Sequence, residues 1–395
     1  MKEKVRTVLG LSAAHCINDI YSPVLPAILP LLIIQEGYSY FLAGMLVTVY
    51  NLSSSFTQPV IGWLYDKKGI RIPIPISVLF CAFFMSFIGL MHSYEMMLIF
   101  AIGGALGHAF FHPSALGLVS RIASGPDRGR LTSLFVVGGN LGFAIGPVLA
   151  GILVAFGGTD ALVFLIIPGL AIAVVLKKLL PPVSELEKNY AKDGENSGNK
   201  KFPVAPIAIL VAASAFRSWV IFSSVAFIPT FLTTRGFDLI TANLLTSLML
   251  IAGVAGQIIG ATMSDKYGRK EYIIFGMITS IPPFFLFLAT DGILSIIAMF
   301  AFGYLLWSTF SVTVAMSHEL APGGTGTVSG LMLGFAVGAG GAGVAITGYV
   351  ADLTSAQMAF TLLIIPIIVA LVLFFVLPYP WKLLNRSRRP AEKFN

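Results

Sequence analysis

Residues 62–71 read GWLYDKKGIR, and residues 261–270 read ATMSDKYGRK. The two segments share an Asp, a Lys and a Gly at the same positions, each ends in basic residues, and they are 199 positions apart. At the same offset Pro30 corresponds to Pro229. Matches at one fixed distance indicate a duplication, so we expect a chain made of two related halves.

The composition indicates a membrane protein. Of the 395 residues, 56% are hydrophobic and only 11% are charged, and the mean hydropathy is +0.88. A soluble protein of this length needs a more polar surface, whereas lipid can solvate the excess of apolar side chains. Apolar runs of about 20 residues, the length that crosses about 30 Å of hydrocarbon, are predicted as spans 1 to 12 at 7–33, 40–64, 72–91, 96–120, 131–157, 161–180, 204–233, 239–263, 272–290, 292–316, 326–350 and 356–377.

These runs predict an all-α integral membrane fold with twelve transmembrane helices in two pseudo-symmetric six-helix bundles. The first bundle is predicted to cover residues 1–180, and the second residues 204–380. Residues 181–203 are rich in Lys, Glu, Asn, Gly and Ser, a composition that predicts a solvated cytoplasmic linker. Residues 381–395 are predicted to be a basic cytoplasmic tail.

The placement of basic residues predicts the topology. With the N-terminus inside, 23 of the 25 Lys and Arg residues fall on the cytoplasmic side; only Arg235 lies outside and only Arg217 lies within a span. The positive-inside rule therefore predicts that both termini are cytoplasmic and that the protein is multi-pass in the cell membrane. Topology also accounts for the net charge of +7, so we expect no nucleic-acid partner.

Span 1 carries a row of polar residues on one helix face. His15, Asn18, Asp19 and Ser22 follow the spacing i, i+3, i+4 and i+7. Asp19 lies far from both predicted ends of the span, and prolines follow it, so we expect a broken helix beside a buried carboxylate. Intramembrane carboxylates usually mark a transport path, which predicts a proton-coupling role for Asp19 and His15. The alternative is a structural ion pair or a helix-packing role.

Arg217 lies deep within span 7, sixteen residues after Lys201 and eighteen before Arg235. A guanidinium that is always charged needs an anion at this depth. That anion is either Asp19 or a phosphonate, phosphate or carboxylate group of a substrate. Arg217 is therefore a predicted substrate-binding residue.

Span 4 contains His108 and His112, one turn apart on a single face. Imidazole changes charge near neutral pH, which suits proton coupling. The alternative is that each ring is a hydrogen-bonded core residue. We expect no metal site, because no further ligand cluster accompanies this pair in the sequence.

Two further polar stripes are candidates for substrate binding. Span 2 offers Asn51 and Gln58, and span 10 offers Tyr304 and Trp307; with Asn18 they would suit a wet cavity for a polar solute. For the span 2 stripe, hydrogen bonding between helices is an equal alternative. We expect the pair at 318–319 to be a gate or a helix-end contact.

The segment at 62–71 resembles the signature loop of the major facilitator superfamily, G-x-x-x-D-[RK]-x-G-R-[RK], in all but one place, and 261–270 echoes it. The resemblance implies that the loop latches the two halves in one state. An Asp at a helix end can cap it or form a salt bridge, and basic residues hold the loop inside. The implied gating residues are Asp66, Arg71, Asp265 and Arg269.

Small residues recur at four-residue spacing in spans 5 and 11 and predict close helix packing. They allow either permanent packing or a sliding contact between the halves. Residues 142–151 also resemble the antiporter motif of the superfamily, G-x-x-x-G-P-x-x-x-G, which favours export. The candidate conformational residues are Gly142, Gly146 and Pro147 in span 5 and Gly334 and Gly338 in span 11.

Within the superfamily the chain resembles the fosmidomycin-resistance subfamily. The resemblance implies export of an anionic phosphonate antibiotic or a related compound in exchange for protons. Many drug–proton antiporters have an Arg in span 4 ahead of the Gly-rich stretch, and this chain has none. The matching segments are AHCIND at 14–19, QP at 58–59, FHP at 111–113, GGN at 138–140 and SGLMLGF at 329–335.

The predicted function is secondary active transport by alternating access, with proton-coupled efflux of a small anionic or amphiphilic compound. A proton-linked importer of an organic acid or sugar is the first alternative, and a non-transporting membrane sensor is a more remote one. We expect no enzyme activity and no cofactor, because the sequence has no nucleophile–base set and no nucleotide-binding P-loop. The expected partners are the lipid bilayer, a small-molecule substrate and protons, and we expect the protein to function as a monomer.

The predicted topology can be tested with reporter fusions. We expect green fluorescent protein fused after Asn395 to fluoresce and alkaline phosphatase at the same place to be inactive, because that end is predicted to be cytoplasmic. Fusion within the outside loop at Arg235 should give the opposite pair of results. Active phosphatase at the C-terminus would contradict the topology.

Overall fold

The computed structural model describes residues 2–65, 72–122, 128–180, 202–321 and 325–382, and these ranges contain helices and no strands. All twelve predicted spans are helical. Two of them are the helix Tyr40–Trp63 and the shorter apolar segment Ile74–Leu90. The other ten are long and apolar enough to cross a membrane: Lys4–Ile34, Tyr94–Ile122, Arg130–Gly157, Thr159–Leu179, Val204–Thr234, Leu239–Tyr267, Arg269–Ala289, Gly292–Leu320, Thr327–Leu353 and Ala356–Val376.

Several spans consist of more than one helical segment. Span 3 is Ile74–Phe87 followed by a 3₁₀ turn at Ile88–Leu90. Span 5 is Arg128–Gly157, and span 6 is a 3₁₀ segment, Thr159–Leu165, continued by Ile166–Leu179. Span 11 runs through Thr325–Ser329, a π-helix at Gly330–Ala336 and Val337–Leu353, and span 12 comprises Ala356–Leu362 and Ile364–Val376.

Span 1 is broken in the middle, as the sequence predicts. Its first helix, Lys2–Asp19, ends at the buried carboxylate, and its second, Val24–Ile34, begins after Pro23. Pro26 falls in the first turn of the second helix. Proline has no backbone N–H, and this costs no hydrogen bond here because the N–H groups of a first turn have no partner within the helix. The break therefore places Asp19 at a helix end inside the span.

The described residues divide into two compact units. The first contains those within Met1–Asn196, Phe222–Ser247 and Gly341–Ala356, and the second contains the remainder. The predicted bundle limits, 1–180 and 204–380, follow the duplication and remain a prediction. The contacts group the helices differently, because parts of spans 7, 8 and 11 pack with the helices of the first half.

Polar side chains connect these added segments to the rest of the first unit. Thr48 of span 2 donates its hydroxyl to the carbonyl of Gly341 at 2.9 Å and accepts the N–H of Ala345 at 3.1 Å. Asn243 of span 8 donates to the carbonyl of Ala27 at 3.1 Å. The first unit therefore includes hydrogen bonds between segments from both halves of the sequence.

Asp352, at the end of span 11, caps the start of span 2. Its two carboxylate oxygens accept the backbone N–H groups of Tyr40 and Phe41, both at 2.8 Å. The first N–H groups of a helix have no partner within the helix, and its N-terminus attracts negative charge. This contact lies on the side that the predicted topology places outside.

Span 5 packs against span 1 through glycines four residues apart. A Cβ atom added at Gly142 would overlap the carbonyl oxygen of Cys16, and one at Gly138 would overlap that of Ser12. Gly146 approaches the turn in the middle of span 1 in the same way. These glycines therefore let the two helices touch backbone to backbone; a sliding role stays a prediction.

Span 11 contains a local change of helix type. The π-helical segment Gly330–Ala336 includes Gly334, and Gly338 lies in the α-helix that follows. A π-helix inserts one extra residue per turn and is frequent at functional sites. Two residues beyond Gly338, a Cβ atom at Gly340 would overlap span 7 at Ser218.

The close contact at Gly142 can be tested through stability. We expect Gly142→Ala to lower the melting temperature of the purified protein in detergent, because the added methyl group meets backbone that cannot move away; such overpacking costs about 1–3 kcal/mol. Gly62→Ala is the matched control, since a Cβ atom there has no neighbour within 4 Å. Equal melting temperatures for the two variants would contradict the packing account.

Candidate functional site

Asp19 and three histidines form one buried cluster in the first unit. The Asp19 Oδ2 atom is 3.2 Å from Nε2 of His15. The Oδ1 atom is 3.6 Å from Nε2 of His112 and 3.8 Å from Nδ1 of His108. All four predicted proton-coupling residues are therefore brought together, and their role in coupling stays a prediction.

Helix periodicity and small neighbours position this cluster. His15 and Asp19 are one turn apart on span 1, and His108 and His112 are one turn apart on span 4, so two helix faces supply all four side chains. A Cβ atom at Gly139 of span 5 would overlap the imidazole ring of His15. The glycine therefore provides the space that the ring occupies.

Backbone carbonyls orient two of the imidazole rings. Nδ1 of His15 is 2.8 Å from the carbonyl oxygen of Phe135, whose ring also stacks on the imidazole at 4.2 Å between centroids. Nδ1 of His112 is 3.1 Å from the carbonyl oxygen of His108. With both Nδ1 atoms turned to carbonyls, the two Nε2 atoms face each other at 3.3 Å, beside the carboxylate.

Asn18 completes the cluster. Its Nδ2 atom donates to Oδ1 of Asp19 at 3.1 Å and lies 3.2 Å from Nδ1 of His108. Its Oδ1 atom, like the hydroxyl oxygen of Tyr50, is buried without a hydrogen-bond partner in the structure. A buried polar atom without a partner costs about 1–3 kcal/mol, so the cluster has unused capacity to bind a polar ligand or water.

The cluster also has the spacing of a cation site. One nitrogen of His15, one of His112 and one carboxylate oxygen of Asp19 all lie within 4.8 Å of one another. The expectation of no metal site was based on the histidine pair of span 4 alone. That reason does not hold, because the fold adds a third histidine and a carboxylate from span 1.

Arg217 is buried in the second unit, with 1% of its surface exposed. Its NH1 group donates to the carbonyl oxygen and, more weakly, the hydroxyl of Thr309, at 3.0 and 3.4 Å, and to the hydroxyl of Thr313 at 3.0 Å. The guanidinium lies over the ring of Phe310, 5.2 Å from its centroid. Nε is buried without a hydrogen-bond partner, and no described carboxylate of the second unit forms an ion pair with this side chain.

Thr309 and Thr313 were not among the predicted site residues. They lie one turn apart on span 10, so both reach the same guanidinium. Two hydroxyl residues four positions apart in an apolar helix are a weak signal, since Thr commonly bonds to its own helix. The pairing becomes evident only when span 7 is placed beside span 10.

The other predicted substrate residues occupy both units. In the first unit, Nδ2 of Asn51 is buried without a hydrogen-bond partner, and Gln58 donates to the hydroxyl of Ser54 at 3.2 Å. In the second unit, Trp307 is buried and Tyr304 is partly exposed, and both lie on the face of span 10 that contacts glycines of span 8. Gln58 thus makes a contact within its own helix, whereas Asn51 keeps a free donor.

The second copy of the signature loop forms an ion-pair cluster in the second unit. Arg269 contacts Asp265 through NH2 at 2.9 Å and Glu319 through Nε at 2.5 Å. The hydroxyl of Tyr379 donates to the same glutamate. The predicted salt bridge at this helix end is therefore present, while Asp66 and Arg71 of the first copy lie outside the described residues.

Residues after span 12 extend this cluster. The ammonium group of Lys270 donates to the carbonyl of Leu377 at 2.7 Å and lies 4.5 Å from the ring centroid of Trp381. Lys382 donates to the carbonyl of Asp265. These contacts could not be predicted from local sequence patterns, because they join segments more than 100 positions apart.

Comparison with known proteins agrees with this architecture. The profile of the Major Facilitator Superfamily matches residues 11–332 and 210–394. The chain is 32% identical over 378 residues to the fosmidomycin resistance protein of Escherichia coli strain K12, covering 90% of both chains. It is 30% identical over 398 residues to the uncharacterized MFS-type transporter YfnC of Bacillus subtilis strain 168, covering 95% of this chain and 93% of that one.

A solved structure gives the same result for the fold. The crystal structure of a bacterial homologue of the human lysosomal transporter Spinster superposes with a TM-score of 0.78 at 16% identity, over 94% of this chain and 96% of that chain. The predicted twelve-helix fold is thereby confirmed. With the superfamily profile matching most of its length, the chain belongs to the major facilitator superfamily of membrane transporters.

Proposed function

We propose that this transporter exports a small anionic or amphiphilic compound in exchange for protons, by alternating access. The observation that carries the proposal is the buried cluster of Asp19 with His15, His108 and His112. A carboxylate that faces three imidazoles inside a membrane protein is a group of sites able to take up and release a proton. Such a cluster suits a transporter driven by a proton gradient.

The substrate class follows from Arg217. A guanidinium stays charged in proteins and is desolvated at this position, and threonine oxygens offset only part of that loss. Its Nε–H has no partner, so at least this donor remains for an acidic group. A phosphonate, phosphate or carboxylate is the chemistry that a buried guanidinium binds most strongly.

In this mechanism the transporter would bind the proton and the anion in turn. Arrival of the anion at Arg217 would shift the proton affinity of the Asp19 cluster, because each event changes the charge within the low-dielectric interior. Rocking of the two halves would expose the sites to one side of the membrane and then to the other. The name of the Escherichia coli relative favours fosmidomycin or a related compound as the exported anion.

The polar residues of spans 1, 2 and 10 would contact the uncharged part of the substrate. Asn51 and Asn18 each carry a buried polar atom without a hydrogen-bond partner, and Trp307 and Tyr304 supply aromatic surface. A few polar groups within a largely apolar wall are typical of small-molecule sites. We also propose that the transporter functions as a monomer in the cell membrane with both termini in the cytoplasm.

Everted membrane vesicles with an acidic interior and a pH-sensitive dye test the proposal. We expect fosmidomycin, or another member of a panel of small phosphonates and carboxylates, to release protons from vesicles that contain the wild type. Asp19→Asn and Arg217→Ala should each reduce the release at least tenfold, because each removes one of the two coupled charges. Glu36→Gln and Arg235→Ala are matched controls, since both residues lie in predicted outside loops.

Two results would contradict the export proposal. Anion uptake that grows with an inward proton gradient would show import of an organic acid or sugar-like solute instead. Full activity of both Asp19→Asn and Arg217→Ala would remove the proposed coupling residues from the mechanism.

We propose that the cluster of Asp265, Arg269 and Glu319 is a conformational latch that forms and breaks during transport. It joins the ends of spans 8, 9 and 10 that are predicted to be cytoplasmic, within the second unit. A contact made in only one state of a transporter shifts the population towards that state. The small residues Gly142, Gly146, Pro147, Gly334 and Gly338 would allow the accompanying helix movements.

The latch can be tested by separating turnover from binding. We expect Glu319→Gln to change the rate of transport several-fold and to leave the Kd of the substrate within about twofold, because the ion pair lies at the helix ends and not beside Arg217. Tyr379→Phe, which removes one hydrogen bond and no charge, should have a smaller effect. Equal rates for the wild type and Glu319→Gln would exclude a gating role.

A further inference from the structure

We propose that the cluster holds one proton, shared between His15 and His112, and that Asp19 remains ionised as its counter-ion. This assignment rests on the proposed function, because it names the groups that carry the transported proton. His108 is a neutral neighbour in this assignment and not a carrier. Four hydrogen-bond observations support it.

The first step concerns the tautomers of the two rings. A backbone carbonyl can only accept a hydrogen bond, so the ring nitrogen that contacts it must carry the hydrogen. Nδ1 of His15 contacts the carbonyl of Phe135 at 2.8 Å, and Nδ1 of His112 contacts that of His108 at 3.1 Å. Both rings therefore have their hydrogen on Nδ1, and in the neutral form both Nε2 atoms carry a lone pair.

The second step concerns what lies between those lone pairs. The two Nε2 atoms are 3.3 Å apart, and Nε2 of His15 is 3.2 Å from Oδ2 of Asp19. Without a positive charge between them, three electron-rich atoms would face one another in a dry interior, where repulsion is strong. One proton on either Nε2 converts the contact into a charge-assisted hydrogen bond to the other ring or to the carboxylate.

The third step limits the number of protons to one. A second proton would place two imidazolium rings in contact, with Nε2 atoms 3.3 Å apart and a single carboxylate beside them. Two like charges at this distance cannot both be stabilised by one counter-charge in a low-dielectric site. The cluster is therefore expected to carry a single proton.

The fourth step excludes His108 as the carrier. Nδ2 of Asn18 lies 3.2 Å from Nδ1 of this ring, and an amide nitrogen only donates, so Nδ1 must accept and the ring is neutral. The reverse orientation of the amide would place its oxygen against the carboxylate of Asp19, because Nδ2 also donates there at 3.1 Å. Both contacts of Nδ2 therefore support the same amide orientation and a neutral His108.

The surrounding titratable groups do not compete for the proton. Span 1 adds the thiol of Cys16, span 2 the phenol of Tyr50 and span 3 the thiol of Cys81, all of which are neutral in their ordinary form near pH 7. Span 5 faces the cluster with the carbonyl of Phe135 and with Gly139. Among these described groups, Nε2 of His15 is the only ring nitrogen within hydrogen-bond distance of the carboxylate, at 3.2 Å, and Nε2 of His112 is 3.6 Å from it.

Nitrogen-15 NMR of the histidine rings tests the assignment directly. The chain has five histidines, so each ring can be identified in the full-length protein in lipid by single His→Gln variants. Near neutral pH we expect an imidazolium signal shared by His15 and His112, and a neutral His108 protonated at Nε2. Asp19→Asn should abolish the imidazolium signal because the counter-ion is lost, and His318→Gln is the control that should leave it unchanged.

Three results would overturn the assignment. The first is neutral rings at both His15 and His112 in the wild type, and the second is an imidazolium at His108. The third is a metal ion bound in a one-to-one ratio to the purified protein, together with an imidazolium signal that does not change in Asp19→Asn. Once the ring signals have been assigned, the wild-type spectrum decides the first two results, so these do not depend on the folding of Asp19→Asn.

The spectra and the vesicle assay together distinguish a failure of this assignment from a failure of the proposed function. A shared proton in the spectra with no anion-driven proton release in vesicles would retain the assignment and contradict antiport. Neutral rings together with antiport that requires Asp19 would retain the function and overturn the assignment. A pH profile of transport that shifts in His112→Gln but not in His92→Gln, a change at an exposed histidine, would support both.

Discussion

An ionised carboxylate inside a membrane helix needs a positive partner, and this requirement organises the first unit. Asp19 finds its partners one turn earlier on its own helix and on the facing side of span 4. The helix ends at this residue, so its carboxylate lies beside a break in the backbone. Glycines of span 5 bring the neighbouring helix close enough to enclose the cluster. Removing the charge compensation would leave a buried anion, which is among the most unfavourable arrangements in a protein.

The duplication places the opposite charge one position before the residue that corresponds to Asp19 in the other half. At the offset of 199 residues, Asn18 corresponds to Arg217 and Asp19 to Ser218. One repeat thus carries a carboxylate among imidazoles, and the other a guanidinium among threonines. Each charge is contacted within its own unit by a different chemistry, and the threonines offset only part of the desolvation of Arg217. This difference between otherwise related halves fits a transporter that handles a proton and an anion at separate places.

Residue patterns within one helix could be predicted from the sequence, and contacts between distant helices could not. The spacing of His15 and Asp19 and the prolines after them predicted a polar face beside a broken helix, and both are present. The threonines around Arg217 were missed because the pattern of span 10 does not reveal which helix it faces. The same reason applies to the cap formed by Asp352, whose partners lie more than 300 positions away. The expectation that there is no metal site failed for the same reason. His15 and Asp19 lie on span 1 and His112 lies on span 4, so neither helix alone shows that the three side chains come together.

The arrangement of the first unit depends on the charge state of Asp19, which infrared spectroscopy can measure. The difference spectrum between the wild type and Asp19→Asn, recorded in lipid near neutral pH, reports this one carboxyl group. We expect the two stretching bands of an ionised carboxylate, because the proton resides on the histidine pair. A carbonyl band of a protonated carboxylic acid in the wild type would contradict it and would place the proton on Asp19 itself.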